Sequence, residues 1–163
     1  MTTNGNDEAA VAKAPSLNVI AQYVKDLSFE NPNAPVALAG QTGGPSIQIQ
    51  VNVGARQMSE TDLEVELKLN VDANSDGKPM FKAELVYGGI FRVENVTEKD
   101  RHPIALIECP RLLFPFARQI LADAVRNGGY PPLLIDPIDF VALYRQRVQQ
   151  ASQAGAAPQS LAN

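Results

Sequence analysis

The sequence predicts one α+β domain in which a four-stranded antiparallel sheet is followed by two C-terminal helices. Three observations predict it. Apolar residues recur at every second position through segments of the first half, the period lengthens to that of a helix beyond about residue 103, and strands and helices never alternate as parallel pairing would require. At 163 residues the chain is long enough to bury one core and too short for two comfortable ones.

Residues 1 to 15 and 151 to 163 are rich in small and polar side chains and are expected to be disordered tails around a domain spanning 16 to 150. The first strand is expected over residues 17 to 29, with Tyr23, Leu27 and Phe29 on one parity and Asp26, Ser28 and Glu30 on the other, until Pro32 and Pro35 end it. The second, SIQIQVNV, sets Ile47, Ile49, Val51 and Val53 against Gln48, Gln50 and Asn52, the pattern of a sheet wet on one side. In the third, Leu63, Val65, Leu67, Leu69 and Val71 alternate with Glu64, Glu66, Lys68, Asn70 and Asp72, and Asp76-Gly77 supplies a turn. The fourth puts Phe81, Ala83, Leu85 and Tyr87 on one side and Lys82 and Glu84 on the other. Gly88 and Gly89 then interrupt it, which predicts a bulge or a close backbone approach.

From Pro103 the period changes, and PRLLFPFARQILADAVRNGG reads as a helix, broken or started by Pro110 and Pro115 and closed by Gly128 and Gly129, with the spacing of Pro103, Pro110 and Pro115 leaving its start open. At 100° per residue the apolar side chains Leu112, Leu113, Phe114, Phe116, Ala117, Ile120, Leu121, Ala124 and Val125 spread over about 220°, whereas packing on one core needs a stripe of ~100° or a little more. The surplus predicts a second covered face, hence self-association. The last element, DPIDFVALYRQRVQQA, is expected to start with Asp136 as N-cap and Pro137 in the first turn, with Phe140, Leu143, Tyr144 and Val148 along one side.

Composition narrows the function classes. Fourteen basic against 18 acidic residues give a net charge of −4, with no Lys/Arg cluster that could track a phosphate backbone, so nucleic acid is not an expected partner. One cysteine allows no intrachain disulfide and no Cys-based zinc site, and suits a reducing cytoplasm. The N-terminus has neither a basic nor an apolar targeting region, and no run of roughly 18 apolar residues occurs, so neither export nor membrane insertion is signalled.

Chemistry is sparse. His102 and Cys109, the single residues of their kinds, would sit about 10 Å apart along one helix, too far for direct thiol activation. A packed cysteine and a satisfied histidine are the readings adopted, against a small hydrolase built on the pair. Gly43-Gly44 and Gly88-Gly89 match neither phosphate-binding fingerprint. Glu64 and Glu66, with Asp62 or Asp72, could in principle hold a metal, but alternate acids on a wet strand face are usually just solvated. No catalytic residue, cofactor or metal is therefore expected. What stands out is placement: Asp26, Glu30, Glu64, Glu66 and Glu84 fall on the polar parity of three strands, so a shared sheet would carry an acidic platform. Such a platform is either a solubility device or a dock for a basic partner.

Three stretches, KDLSFENPNAP, YGGIF and CPRLLFPFARQILADAVRNGGYPPLLIDPIDFVALY, resemble the SecB protein-export chaperones, and the likeness covers residues 17 to 150. The resemblance implies a SecB-like subunit assembled as a homotetrameric dimer of dimers in the bacterial cytoplasm. It further implies an ATP-independent holdase, not an enzyme, that keeps unfolded precursor proteins competent for translocation and hands them to the motor SecA. By the same resemblance, Asp26, Glu30 and Glu84 would receive the basic, zinc-bearing C-terminal segment of SecA. Lys82, on that surface, stands where the best-known members carry an apolar residue and would weaken or retune the docking. The client groove would be lined by Ile47, Ile49, Val51, Phe81, Phe140, Leu143, Tyr144 and Val148. A relative sharing the fold but never meeting SecA is the alternative within this class, and retention of the three acids argues against it.

Overall fold

The computed structural model describes residues 11–40 and 43–155. Strands β1 (Ser16–Glu30), β2 (Ser46–Gln57), β3 (Asp62–Ser75) and β4 (Lys78–Glu94) form one antiparallel sheet in the order β1-β4-β3-β2. The helical half consists of α1 (Glu98–Pro103), α2 (Cys109–Asn127) and α3 (Phe140–Gly155). A wider π turn, Ile104–Glu108, joins α1 to α2, and the helices pack on one face of the sheet.

Alternation builds the core as expected. Leu63, Val65, Leu67, Leu69 and Val71 of β3 and Phe81, Ala83, Leu85, Tyr87, Phe91 and Val93 of β4 are buried beneath the helices. Leu113, Ala117, Leu121 and Val125 of α2 close over them. Each large side chain covered in this way contributes about 1.5–3 kcal/mol. The β3–β4 hairpin turns on Asp76 and Gly77, both in the left-handed region at φ 49° and 75°. That is the geometry a two-residue turn needs to follow the twist of its strands.

Four local features depart from the expectation. First, β1 carries two bulges, at Ile20 and at Lys25. Leu27 and Phe29 pair with Leu85 and Ala83 on the helix face, whereas Tyr23 pairs with Gly88 on the opposite face. The extra residue at Lys25 inverts the parity the sequence suggested. The glycine pair in β4 marks close approaches, not a bulge of its own. A Cβ on Gly88 would lie 2.7 Å from the Tyr23 ring, and one on Gly89 would lie 2.7 Å from Phe91 and 2.8 Å from Leu113.

Second, the helical run begins at Glu98, five residues before Pro103. Thr97 caps it by accepting from the Asp100 N–H at 3.3 Å, and Thr97 donates to the Asp100 carboxylate at 2.6 Å. TEKD thus carries the T-x-x-D spacing of a helix start, with Thr97 as the cap and the Asp100 carboxylate bonded to its hydroxyl. The three prolines are absorbed without a break: Cys109 N–H reaches back five residues to the Ile104 carbonyl, the wider spacing that relieves a ladder lacking a proline donor.

Third, α3 is capped by Asp139, whose carboxylate accepts from the Ala142 N–H at 2.9 Å, so the helix starts at Phe140 and not near Asp136. Fourth, α3 continues to Gly155, past the expected start of a tail at 151. Of the two expected tails, residues 1–10 and 156–163 lie outside the described residues.

Candidate binding surfaces

The junction KDLSFENPNAP ties β1 to the end of α2. Phe29 stacks on Phe81 at 5.6 Å, and Phe81 in turn meets Tyr130 at 5.0 Å. Asn31 donates to the Gly128 carbonyl at 2.9 Å and accepts from the Tyr130 hydroxyl at 2.8 Å. Gly128 must lack a side chain, because a Cβ there would stand 2.4 Å from the Phe29 ring. These contacts anchor the strand end that bears Asp26 and Glu30.

The five acids do share the sheet face that points away from the helices, but they divide into two groups. Glu64 is 6% exposed and accepts from Tyr23, from Arg56 at 2.7 Å and from Lys25 at 3.1 Å. The Tyr23 hydroxyl first, then the Arg56 guanidinium, hold its carboxyl at about 2, well below the usual range. Glu66 meets Lys25 and, at 3.8 Å, Lys68. Asp62 is gripped by both arms of Arg92, at 2.8 and 2.9 Å, which lowers its carboxyl. Committed in this way, these three side chains have no free ligand set to offer a cation.

At the other end the balance differs. Glu30 of β1 and Asp72 of β3 lie directly across from Lys82 of β4, with Glu84 two residues along and Asp26 beyond. Lys82 contacts Glu84 at 3.4 Å, and among the described residues Asp26, Glu30 and Asp72 form no ion pair. Four carboxylates thus surround one ammonium on an exposed part of the sheet face. Asp72 belongs here through its register with Lys82, which a reading of single strands did not supply.

The helix face leaves apolar surface uncovered on both flanks of the core. Between β2 and α3 runs a cleft of about 380 Å³, lined by Val51, Val53, Leu106, Leu143, Tyr144 and Arg147. A second, of about 540 Å³ and mostly apolar, lies under the loop after α2, where Ile47, Met80, Phe81, Tyr130, Leu133 and Leu134 meet. Of the expected groove residues, Val51, Leu143 and Tyr144 line the first cleft and Ile47 and Phe81 the second. Ile49, 37% exposed, lies between the two along β2. Phe140 departs from the expectation: it is 2% exposed and packs edge-on against Phe114 at 6.2 Å, so it supports the groove from beneath. Val148 is exposed on α3 and lines neither cleft.

On the opposite flank, Val19, Val24 and Leu27 of the β1 edge and Leu112 and Phe116 of α2 are exposed together. Phe116 is 51% exposed and stacks on Tyr87 at 6.5 Å. This is the second apolar face of α2 that the wide arc predicted.

Nucleophilic chemistry finds no support. Cys109 is buried, and burial pushes its thiol up to about 12, so the thiolate is inaccessible at neutral pH. His102 is engaged elsewhere, with Nδ1 3.2 Å from the Tyr144 hydroxyl.

A family model described as "Preprotein translocase subunit SecB" matches residues 10–151. The chain belongs to the SecB family. Among SecB relatives, the protein-export protein SecB of Methylocella silvestris is 58% identical over 156 residues, covering 95% of this chain and 97% of its own. That of Xanthobacter autotrophicus is 61% identical over 140 residues, covering 86% and 90%. The SecB-like chaperone of Mycobacterium tuberculosis, solved with an antitoxin peptide, has a TM-score of 0.62 at 12% identity over 76% of this chain and 91% of its own, a likeness of fold. Among the described residues of this SecB chain no helix is long and apolar enough to cross a membrane.

Proposed function

We propose that this chain is an ATP-independent holdase of protein export. It binds unfolded precursor proteins in the bacterial cytoplasm, keeps them competent for translocation and delivers them to the motor SecA. The observation that carries the reading is the pair of open clefts along β2, one mostly apolar and the other mixed, where the half-exposed Ile47 and Ile49 and the partly buried Val51, Leu143 and Tyr144 stand beside buried core residues. An unfolded chain offers apolar side chains without a fixed shape, and long shallow clefts suit it better than a closed pocket. Several such contacts spread over an assembly give avidity without demanding one sequence.

Assembly as a dimer of dimers is part of the proposal. The exposed flank of β1 and α2, with Val24, Leu27, Leu112 and Phe116, is the surface a second copy would cover. The acidic end of the opposite sheet face, with Asp26, Glu30, Glu84 and Lys82, is assigned to the basic, zinc-bearing segment of SecA. Charge complementarity supports this, and the location leaves the clefts free for a client.

Light scattering on a sizing column tests the reading: the protein is run alone, then with a permanently unfolded protein, then with that protein's folded form. A tetramer that retains only the unfolded form is the expected result. A monomer indifferent to both would overturn it.

A further inference from the structure

The acidic end of the sheet contains its own cation. Lys82 stands at the centre of the carboxylates, across from Glu30 on one neighbouring strand and Asp72 on the other, and contacts Glu84 on its own strand at 3.4 Å. Residues paired across antiparallel strands have Cβ atoms only about 5 Å apart, so one flexible ammonium can reach all three acids. Its side chain is 48% exposed, and it is free to swing away from them. Of the remaining cations of this face, Lys25, Arg56 and Arg92 are held by Glu64, Glu66 and Asp62, and Lys68, nearest Glu66 at 3.8 Å, lies in the row of Asp26, away from Glu30 and Asp72.

We propose that Lys82 is an intramolecular competitor for the docking surface, holding the place that a basic side chain of the partner must take. A partner ammonium or guanidinium entering between Glu30, Asp72 and Glu84 meets a like charge already seated there and must displace it. Lys82 therefore sets a selectivity threshold: segments with several basic groups displace it, and isolated lysines on other proteins do not. This rests on the reading of that surface as the partner's dock.

The test is titration calorimetry of the full chain with a synthetic, zinc-loaded C-terminal segment of SecA at several salt concentrations. Lys82→Met and Lys82→Gln are compared with Lys82→Arg, with folding and assembly checked by circular dichroism and light scattering. Both neutral variants are expected to bind about fivefold more tightly with a steeper salt dependence, whereas Lys82→Arg behaves as the wild type. Equal or weaker binding by both neutral variants overturns the competitor role while leaving the dock in place. A segment that binds neither wild type nor variant, or that ignores Asp26→Ala combined with Glu84→Ala, overturns the dock itself and the inference with it.

Discussion

Replacing Glu64 by Gln should destabilise the protein at neutral pH, and the effect should fade in acid. The side chain is 6% exposed and accepts from Tyr23, Arg56 and Lys25, which together hold its carboxyl at about 2 instead of the ordinary 4.5. That difference corresponds to roughly 3 kcal/mol as a ceiling. Arg56 and Lys25 are 70% and 44% exposed, so solvent screens their share, and about 1–2 kcal/mol is the expected loss at pH 7. The folded-state carboxyl lies below its unfolded value, so its contribution is complete above pH 4.5 and is lost as the pH falls toward 2. About two-fifths of it should be gone by pH 3.5. Urea unfolding of both proteins at one fixed concentration, at pH 7, 4.5 and 3.5, measures the gap between them. A gap of the same size at pH 7 and pH 3.5 would refute the reasoning, because the loss would then come from packing and not from charge.

Three further outcomes are expected. Asp26→Ala with Glu84→Ala should weaken binding of the SecA segment by about tenfold and reduce its salt sensitivity while capture of an unfolded client persists, as calorimetry and a sizing column would show. Phe116→Asp places a charge on the exposed flank of α2, so light scattering should report a smaller assembly while circular dichroism of the subunit is unchanged. Cys109 should resist a thiol-specific colour reagent in the native protein at pH 8 and react fully in denaturant. Rapid native reaction would contradict a thiol raised to about 12 by burial.

Much of the architecture was legible because its signals are local. Strict alternation in β2, β3 and β4 marked the strands and separated their faces, and Asp76-Gly77 marked the hairpin. The wide apolar arc on α2 announced a second face, and Leu112 and Phe116 are exposed there. Cap choice was less secure: Asp136 and Asp139 both precede the last helix, and only the Asp139 bond to the Ala142 N–H distinguishes them. The Thr97 start has a local signal in its T-x-x-D spacing, but Pro103, Pro110 and Pro115 just beyond it suggest a later start, and only the Thr97–Asp100 bonds resolve the two.

The sequence by itself determined the strands, their faces away from bulges, the hairpin and the opposed placement of acids and aliphatic residues. It did so because side-chain period and turn chemistry act between near neighbours in the chain. Only the tertiary structure decided the rest. It inverted Tyr23 through a bulge that depends on how β1 meets β4, and it buried Phe140 while leaving Ile49 half open. It neutralised Glu64 with cations from two other strands and surrounded Lys82 with acids from both neighbours. Register, exposure and charge pairing depend on residues distant in sequence, and they exist only once the sheet has assembled.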